Sequence, residues 1–245
     1  MSGTVYQAAA GALLQQMRLD MLSNNLANIN SSGFKADVPT FRITQETASP
    51  SSANTPTGIT PYAPPMTSYI DFSPGPLAKT GNALDVAIVG KGFFEVQAPD
   101  GLRYTRKGNF TVNDQGQLST SEGWPVMGQG GAIAVEGSQV QISEKGDLII
   151  DGDTVNSLKV VNFANSNQLK KVGDTFFVPT NGAQAQDLDD SELQVAQGFL
   201  EKSNVDPIRA MTELIETSRI FETYQRAMRS ADDANAKTVS DVGKV

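Results

Sequence analysis

The chain of 245 residues has a formal net charge of −8 and contains neither cysteine nor histidine. Disulfides, thiolate metal sites and the usual histidine-based catalytic sites are therefore excluded. The negative charge argues against nucleic acid or an anionic membrane surface as a partner.

The first segment, residues 1–36, predicts one amphipathic helix, because its apolar residues recur at the alternating steps of three and four that form a coiled-coil seam. The seam consists of Val5, Ala8, Ala12, Leu19, Leu22, Leu26 and Ile29, with Gln15 as its one polar position. Gly33 is the predicted end, since glycine readily takes a positive φ after a helix. The segment lacks the basic start and continuous apolar run of a cleaved signal peptide. No part of the chain is apolar for the roughly 18 residues that indicate a transmembrane helix.

The outer positions of this helix carry amides where a solvent-exposed helix normally carries charges. Asn24, Asn25 and Asn28 fall outside the main seam, and the only charged residues that precede them are Arg18 and Asp20. Amides hydrogen-bond both ways without the desolvation cost of a charge. Two interpretations stay open: other copies of the protein cover this face, or the asparagines mark a fraying last turn.

The middle of the chain divides by composition. Residues 37–77 predict a linker or extended segment, because ETASPSSANTPTGITPYAPPM is rich in serine, threonine and proline and offers little to bury. Residues 78–198 predict β structure, with hairpin turns at NDQG and EKGD and further strands at LKVVNF and DTFFVPT. Short strands at close spacing predict a compact antiparallel domain or a distorted barrel.

The last segment, residues 199–245, predicts a second helix from about Pro207, with Asp206 as its N-cap. Its predicted apolar stripe consists of Met211, Leu214, Ser218, Phe221 and Met228, widened by Ile208, Ile215 and Tyr224. The predicted fold class is therefore α+β. A mainly antiparallel β domain is inserted between long N- and C-terminal helices, which pair as a parallel or antiparallel coiled coil.

Three patterns suggest chemistry, and each has a plainer explanation. The carboxylate pairs Asp151 with Asp153 and Asp189 with Asp190 suit acid–base catalysis only beside apolar groups that raise a pKa, and the sequence places none there. The turns NDQGQ and DGDTVN lack the full ligand loop and final glutamate of a calcium site. The glycines of IVGKGFF fit a strand bend better than a phosphate loop. We therefore expect no enzymatic activity, cofactor or metal.

Five stretches, in order, resemble the bacterial flagellar axial proteins of the rod and hook. They are NNLANINSSGFKA, LDVAIVGKGFFEV, YTRKGNFTVNDQGQLST with WPVMG, GFLEKSNVDPIRAMTELIETSR, and the FE that follows. The N-terminal motif is carried by Asn24, Asn25, Leu26, Ala27, Asn28, Gly33 and Phe34. The length and the tail RIFETYQRAMRSADDANAKT are most similar to proximal rod subunits, and distal rod subunits come second.

The resemblance implies a structural subunit of the flagellar rod, located in the basal body, that stacks helically through paired terminal helices. Its implied partners are further copies of the chain, neighbouring rod proteins and the flagellar type III export apparatus, and no small-molecule substrate is implied. The predicted interface comprises Leu19, Leu22, Leu26, Ile29, Met211, Leu214, Ile215, Phe221 and Met228. The asparagines are expected to face neighbouring subunits. A coiled-coil adaptor that does not polymerise is the remaining alternative.

Overall fold

The computed structural model describes residues 2–41, 66–137, 139–180, 182–188 and 193–242. Two long helices, α1 (Ser2–Ala27) and α2 (Pro207–Val242), lie at opposite ends of the chain, and short strands fill the part between them. The predicted α+β class is thereby confirmed. None of the described helices is both long and apolar enough to cross a membrane.

The strands are short, and their described pairings are antiparallel. In chain order they are β1 (Asp37–Phe41), β2 (Met66–Ile70), β3 (Leu77–Lys79), β4 (Val86–Ile88), β5 (Phe93–Ala98), β6 (Gly101–Thr105), β7 (Thr111–Val112), β8 (Leu118–Ser119), β9 (Met127–Gly128), β10 (Gly131–Ala132), β11 (Val140–Ile142), β12 (Asp147–Ile150), β13 (Asp153–Ser157), β14 (Val160–Asn162), β15 (Leu169–Val172), β16 (Phe176–Pro179), β17 (Gln186–Asp187), β18 (Val195–Gln197) and β19 (Phe199–Glu201). A short 3-10 helix, Ser166–Gln168, precedes β15.

The chain forms two compact units. The helical unit contains Met1–Leu26, Asp37–Tyr69 and Asp206–Val245, and the β unit contains Ala27–Ala36 and Ile70–Val205. The last part of the predicted N-terminal helical segment therefore belongs to the β unit. Within the predicted linker, β1 and β2 pair with each other, whereas its proline-rich part, 42–65, lies outside the described residues.

Helix α1 ends at Ala27, ahead of the predicted stop at Gly33. The backbone turns immediately after the helix, where the Ser31 amide donates to the Asn28 carbonyl (3.1 Å) and the Ser31 hydroxyl donates to the Asn28 side-chain oxygen (3.0 Å). Gly33 has the expected positive φ of 70°. It closes a turn after the helix rather than the helix itself.

Helix α2 begins as predicted. The Asp206 carboxylate accepts hydrogen bonds from the backbone amides of Ile208 (2.9 Å) and Arg209 (3.1 Å), and Pro207 holds the first helical position, where its missing N–H is not needed. On the exposed side, Arg209 pairs with Glu213 one turn later. Such a solvent-exposed pair contributes little to stability.

The largest sheet has six strands in the order β15-β16-β6-β5-β14-β17. Successive residues of β5 point to opposite faces, so that Phe94 packs into the larger apolar cluster and Phe93 into a smaller aromatic-rich cluster. Both faces are covered, which explains why five of the six residues of β5 are buried, including Glu95, whose carboxylate forms an ion pair with Lys159 at 3.1 Å. The aromatic-rich cluster consists of Phe93, Tyr104, Val161, Phe163, Leu169 and Phe177, with Ile70, Phe72 and Ala183 at its edge.

Both predicted hairpins are confirmed. Strands β7 and β8 pair across NDQG, where the Asn113 side chain accepts from two backbone N–H groups of the same turn, and β11 pairs with β12 across EKGD. The bend predicted at IVGKGFF is present, with Gly90 and Gly92 at φ 98° and 120°. Within the described residues the six-stranded sheet is open at β15 and β17. The structure therefore shows an antiparallel domain and not a barrel.

Gly108 gives a test of packing in the β unit. A Cβ at this position would lie 1.7 Å from the Val86 carbonyl oxygen, which belongs to the buried strand β4. Because backbone atoms cannot move aside cheaply, Gly108→Ala should lower the free energy of unfolding by about 1–3 kcal/mol, measured by urea titration. Gly130→Ala is the matched control, since the nearest atom to its Cβ would be 3.5 Å away. Equal unfolding midpoints for the two variants would contradict this packing.

Candidate assembly site and the junction of the chain ends

The predicted seam of α1 lies on the less exposed face of the helix. Leu22 is buried, and Leu19 and Leu26 are half-buried. Gln15 shares this face, and its side-chain oxygen is buried without a hydrogen-bond partner. Ile29 is half-buried too, but it lies in the turn after the helix.

The inner face of α2 differs from the predicted stripe. Met211 and Ile215 were predicted there, yet they are 51% and 53% exposed. The least exposed face runs instead, at steps of four and three, through Ala210, Leu214, Thr217, Phe221, Tyr224 and Met228. Its most buried positions are held by Ala210 and Thr217. Small residues such as these carry little hydrophobic signal, so the sequence pattern does not identify them as the most buried positions of α2. The predicted interface residues Met211 and Ile215 remain candidates for contact with a neighbouring subunit.

Each helix also carries a second apolar set on an exposed face. We call these sets the outer stripes: Tyr6, Leu13 and Met17 on α1, and Ile208, Met211 and Ile215 on α2. Every member is more than two-fifths exposed. Large exposed apolar groups that recur along a helix mark a surface for a protein partner.

The two helices meet where Gly11 of α1 faces Tyr224 of α2. A Cβ on Gly11 would lie 2.5 Å from the Cε1 atom of the Tyr224 ring. The ring therefore fills the space that the side chain of any other residue would take. This glycine is placed for a close approach between the two helices and not for backbone freedom.

Asn25 has a role different from the predicted one. Its side chain is buried, its Nδ2 donates to the Asp37 carbonyl (2.8 Å), and its Oδ1 accepts from the Asp37 amide (2.9 Å). The amide thus pairs with the backbone at the start of β1 much as a neighbouring strand would. Asn28 is also buried, in the turn after α1. Of the three asparagines expected to face other subunits, only Asn24 is exposed.

The centre of the β unit holds a buried ion cluster. Glu201 Oε1 accepts from Lys35 Nζ at 2.6 Å, and Glu201 Oε2 accepts from an Arg106 guanidinium nitrogen at 3.1 Å. All three side chains are at least 96% buried. The residues come from the segment after α1, from the end of β6, and from β19 shortly before α2.

Backbone groups complete this cluster. The Gly75 amide donates to Glu201 Oε1 (2.8 Å), and Lys35 Nζ donates to the Ser73 carbonyl (2.8 Å). The second guanidinium nitrogen of Arg106 donates to the Gly90 carbonyl. The β19 backbone takes part as well, because its Glu201 carbonyl accepts from the Gly33 amide (2.8 Å).

Burial sets the electrostatics of the cluster. Removal from water lowers the pKa of Lys35, and the attraction of Glu201 offsets this effect only in part. The pKa of Arg106 is lowered in the same way. One carboxylate therefore balances two cations in a medium that solvates charge poorly, so the loss of that carboxylate would be severe.

A second layer of contacts holds the same segments. Asn204 accepts from the Ala36 amide (2.8 Å) and donates to the Asp71 carbonyl (2.8 Å). Lys171 Nζ donates to the Lys35 carbonyl (2.8 Å) and lies 4.3 Å from the centre of the buried Phe34 ring. We refer to residues 33–36, 71–75 and 201–204, with Arg106, as the junction.

The sequence does not predict the junction, although Lys35, Arg106 and Glu201 each lie inside one of the quoted motifs. Lys35 is the first lysine of the chain and directly follows Gly33 and Phe34, both assigned to the N-terminal motif. Glu201 lies in GFLEKSN, after two apolar residues of a strand. A single charged residue beside apolar residues, in a segment expected to be buried, is the only hint that the sequence offers of such an ion pair. Its partner lies too far along the chain to be identified from the sequence.

The structure describes one of the two carboxylate pairs, Asp151 with Asp153. Asp151 has a left-handed backbone, with φ 53°, and accepts from the Gln139 amide, which is turn chemistry. Asp189 and Asp190 lie outside the described residues. Among the residues that the structure describes, no group of acidic side chains is arranged to hold a metal ion.

Comparison with known proteins identifies three matched regions. Residues 6–35 match the family described as flagella basal body rod protein, residues 87–150 match the flagellar hook protein FlgE/F/G D1 domain, and residues 196–241 match the flagellar basal body rod FlgEFG protein C-terminal family. The matches therefore include both chain ends and part of the β unit between them.

Individual relatives align over nearly the whole chain. The flagellar basal-body rod protein FlgF of Caulobacter vibrioides is 34% identical over 100% of both chains, and FlgF of Salmonella typhimurium is 35% identical over 95% of each. The flagellar basal-body rod protein FlgG of Agrobacterium fabrum is 33% identical over 92% of this chain and 94% of its own.

Glu201→Gln tests the ion cluster. The substitution keeps the shape of the side chain but leaves Lys35 and Arg106 without a counter-charge in a buried site. We expect the free energy of unfolding to fall by about 3–5 kcal/mol, measured by urea titration. Lys35→Met should produce a smaller loss, because it removes a cation whose burial is itself unfavourable and leaves Glu201 paired with Arg106.

Asp100→Asn is the control for this experiment. Asp100 forms an ion pair with Arg103 at 2.7 Å, but its side chain is 67% exposed. The unfolding midpoint should therefore stay unchanged, since exposed ion pairs contribute little. Similar midpoints for Glu201→Gln and Asp100→Asn would show that the buried cluster does not stabilise the fold.

Asn25→Asp tests the contact between α1 and β1. The variant keeps the side-chain shape but replaces the N–H donor to the Asp37 carbonyl by a carboxylate oxygen. The Asp37 amide keeps its acceptor, but the new carboxylate repels the Asp37 carbonyl in a buried site. The contact should therefore open more often, and hydrogen exchange at the Asp37 amide should become about tenfold faster. The exposed neighbour Asn24 provides the control variant Asn24→Asp. Equal exchange at Asp37 in both variants would refute the role assigned to Asn25.

Proposed function

Because the chain belongs to the flagellar basal-body rod protein family, we propose that it is a structural subunit of the rod, within the flagellar basal body. The observation that carries this proposal is the alignment with FlgF of Caulobacter vibrioides across all of both chains. The alignment includes both terminal helices and the β unit. The role of the subunit is mechanical, and its partners are other rod proteins.

We place the subunit in the proximal part of the rod. The support is the likeness of its length and C-terminal tail to proximal subunits, together with the full-length alignment to proteins named FlgF. The FlgG relative aligns over a slightly smaller share of both chains. A distal position is the second candidate.

Within one subunit, we propose that α1 and α2 pair as an antiparallel coiled coil. The contact of Gly11 with Tyr224 supports this arrangement. Gly11 lies roughly four and a half turns before the end of α1, and Tyr224 lies a similar distance after the start of α2. Helices that run in opposite directions bring such equidistant residues together, whereas parallel helices do not.

Between subunits, the outer stripes are the proposed contact surface. Their isoleucine, leucine, methionine and tyrosine side chains are exposed in the single chain, and α1 has almost no charge that packing would have to desolvate. Further copies and neighbouring rod proteins would cover these stripes as the polymer grows. We also propose export by the flagellar type III apparatus, which would deliver the chain to the growing rod.

Electron microscopy of basal bodies tests the function. A strain that lacks the gene is compared with the same strain carrying a restored copy. A rod that is missing or stops at its inner-membrane end supports the proximal assignment, and a short rod without outer shaft and hook supports the distal one. Complete basal bodies in the deletion strain would contradict the rod role and favour a non-polymerising adaptor.

Leu13→Glu and Ile215→Glu test the outer stripes. Each places a charge on an exposed apolar surface, so the melting temperature of the purified protein should not change. In cells, however, each variant should abolish rod assembly and swimming, because packing against another subunit would bury an unpaired charge. Glu216→Gln, which also changes one charge on the exposed part of α2, should assemble normally. Normal rods from both glutamate variants would exclude the outer stripes as the contact surface.

A further inference from the structure

The outer stripes of α1 and α2 lie at different heights along the helix pair. The contact of Gly11 with Tyr224 provides a common level. On α1, the stripe extends from five residues before Gly11 to six residues after it, whereas on α2 it lies nine to sixteen residues before Tyr224. In an antiparallel pair, with a rise of about 1.5 Å per residue, the centres of the two stripes are therefore roughly 18 Å apart, and the stripes do not overlap.

Each outer stripe forms one row along its helix. Its members recur at steps of three, four or seven residues, which place them on the same side of the helix. They are between 41% and 78% exposed, so the other helix of the same subunit does not cover them. A single subunit therefore presents two separate apolar surfaces, one on each helix and each at its own height.

The charge pattern makes these two surfaces complementary. Residues 1–17 contain no charged side chain, whereas the α2 stripe is bordered by Arg209, Glu213 and Glu216. Protein interfaces combine an apolar core with a polar rim. Two α1 stripes packed on each other would have no charged rim. An α1 stripe packed on an α2 stripe has both parts, since α2 supplies the rim.

Symmetry favours the same pairing. A contact between two identical surfaces joins two subunits and cannot be continued, whereas a contact between two different surfaces can be repeated from subunit to subunit. Contacts of like with like would also turn every second subunit to face the opposite way. A rod whose subunits all face one way therefore needs a contact between unlike surfaces, and the two outer stripes are unlike.

We propose that the outer stripe of α1 packs on the outer stripe of α2 of a neighbouring rod subunit of the same family, displaced by about 18 Å along the helix pair. The proposal rests on the rod subunit role and on the antiparallel pairing, and it assigns a partner to each stripe. Separate family models match both ends of the chain, so other rod subunits carry corresponding segments. Each subunit offers α1 to one neighbour and α2 to another, and the difference in height sets the step between them.

Photo-crosslinking in cells tests this pairing. A photoreactive residue replaces Leu13 in one strain and Met211 in another, both of which are more than half exposed, and mass spectrometry identifies the crosslinked peptides. We expect position 13 to crosslink to the start of a neighbour's C-terminal helix and position 211 to a neighbour's N-terminal helix. Glu216, which is exposed on α2 beside the stripe, is the control position and should not crosslink to that N-terminal helix.

The other outcomes separate the pairing from the rod role. Crosslinks of like with like, from position 13 to an N-terminal helix and from position 211 to a C-terminal helix, would overturn the pairing and leave the rod role intact. The same holds if basal bodies contain both variants but yield no crosslinks from them. Absence of the unsubstituted chain from purified basal bodies would overturn the rod role itself.

Electron cryo-microscopy of the rod gives an independent measurement. Subunits in contact through these stripes should be displaced by about 18 Å along their helix pairs. A displacement near zero, as in a flat ring, would refute the staggered contact. So would a displacement near the length of the 26-residue helix α1, about 39 Å, as in end-to-end stacking.

Discussion

The structure depends on the burial of one carboxylate between two cations. Both oxygens of Glu201 are occupied, one by Lys35 and the Gly75 amide, the other by Arg106. Any arrangement that separates these groups leaves a charge unpaired in the interior, which costs several kcal/mol, on the order of 3–5. The segments that lead out of α1 and into α2 are therefore held together in one arrangement, and Asn204 and Lys171 reinforce it through the backbone.

As a result, the residues that stabilise the fold differ from the residues that are available for assembly. The β unit has its own apolar clusters and the junction, and it needs no partner to bury them. The helices show the opposite balance. Their inner faces are lined partly by small residues such as Gly11, Ala210 and Thr217, which permit close approach, while the outer stripes leave large apolar side chains in water. A subunit built in this way can be stable alone and still gain from polymerisation.

The sequence allowed the local features to be predicted and left the distant ones open. The α+β class, the N-cap at Asp206 and both hairpin turns follow from propensity and spacing, which act over a few residues. The inner face of α2 is only partly predictable, because the hydrophobic pattern favours Met211 over Ala210 and says nothing about how closely another helix approaches. Asn25 and the junction could not be predicted, since their partners are chosen by the tertiary fold. The sequence indicates only in general terms that the β unit supplies the stable core and the helices supply the assembly surface.

The separation of Lys35 and Glu201 along the chain has a consequence for the order of folding. The two residues are 166 positions apart, and a protein chain emerges from the ribosome with its N-terminus first. Lys35 and Arg106 are therefore present long before the carboxylate that balances them. Until β19 emerges, the segment after α1 lacks the carboxylate that pairs with Lys35. A chain truncated before residue 201 never forms this ion pair. The junction therefore forms only in a chain that has been made at least as far as Glu201, so most of the β unit is synthesised before its central ion cluster can close.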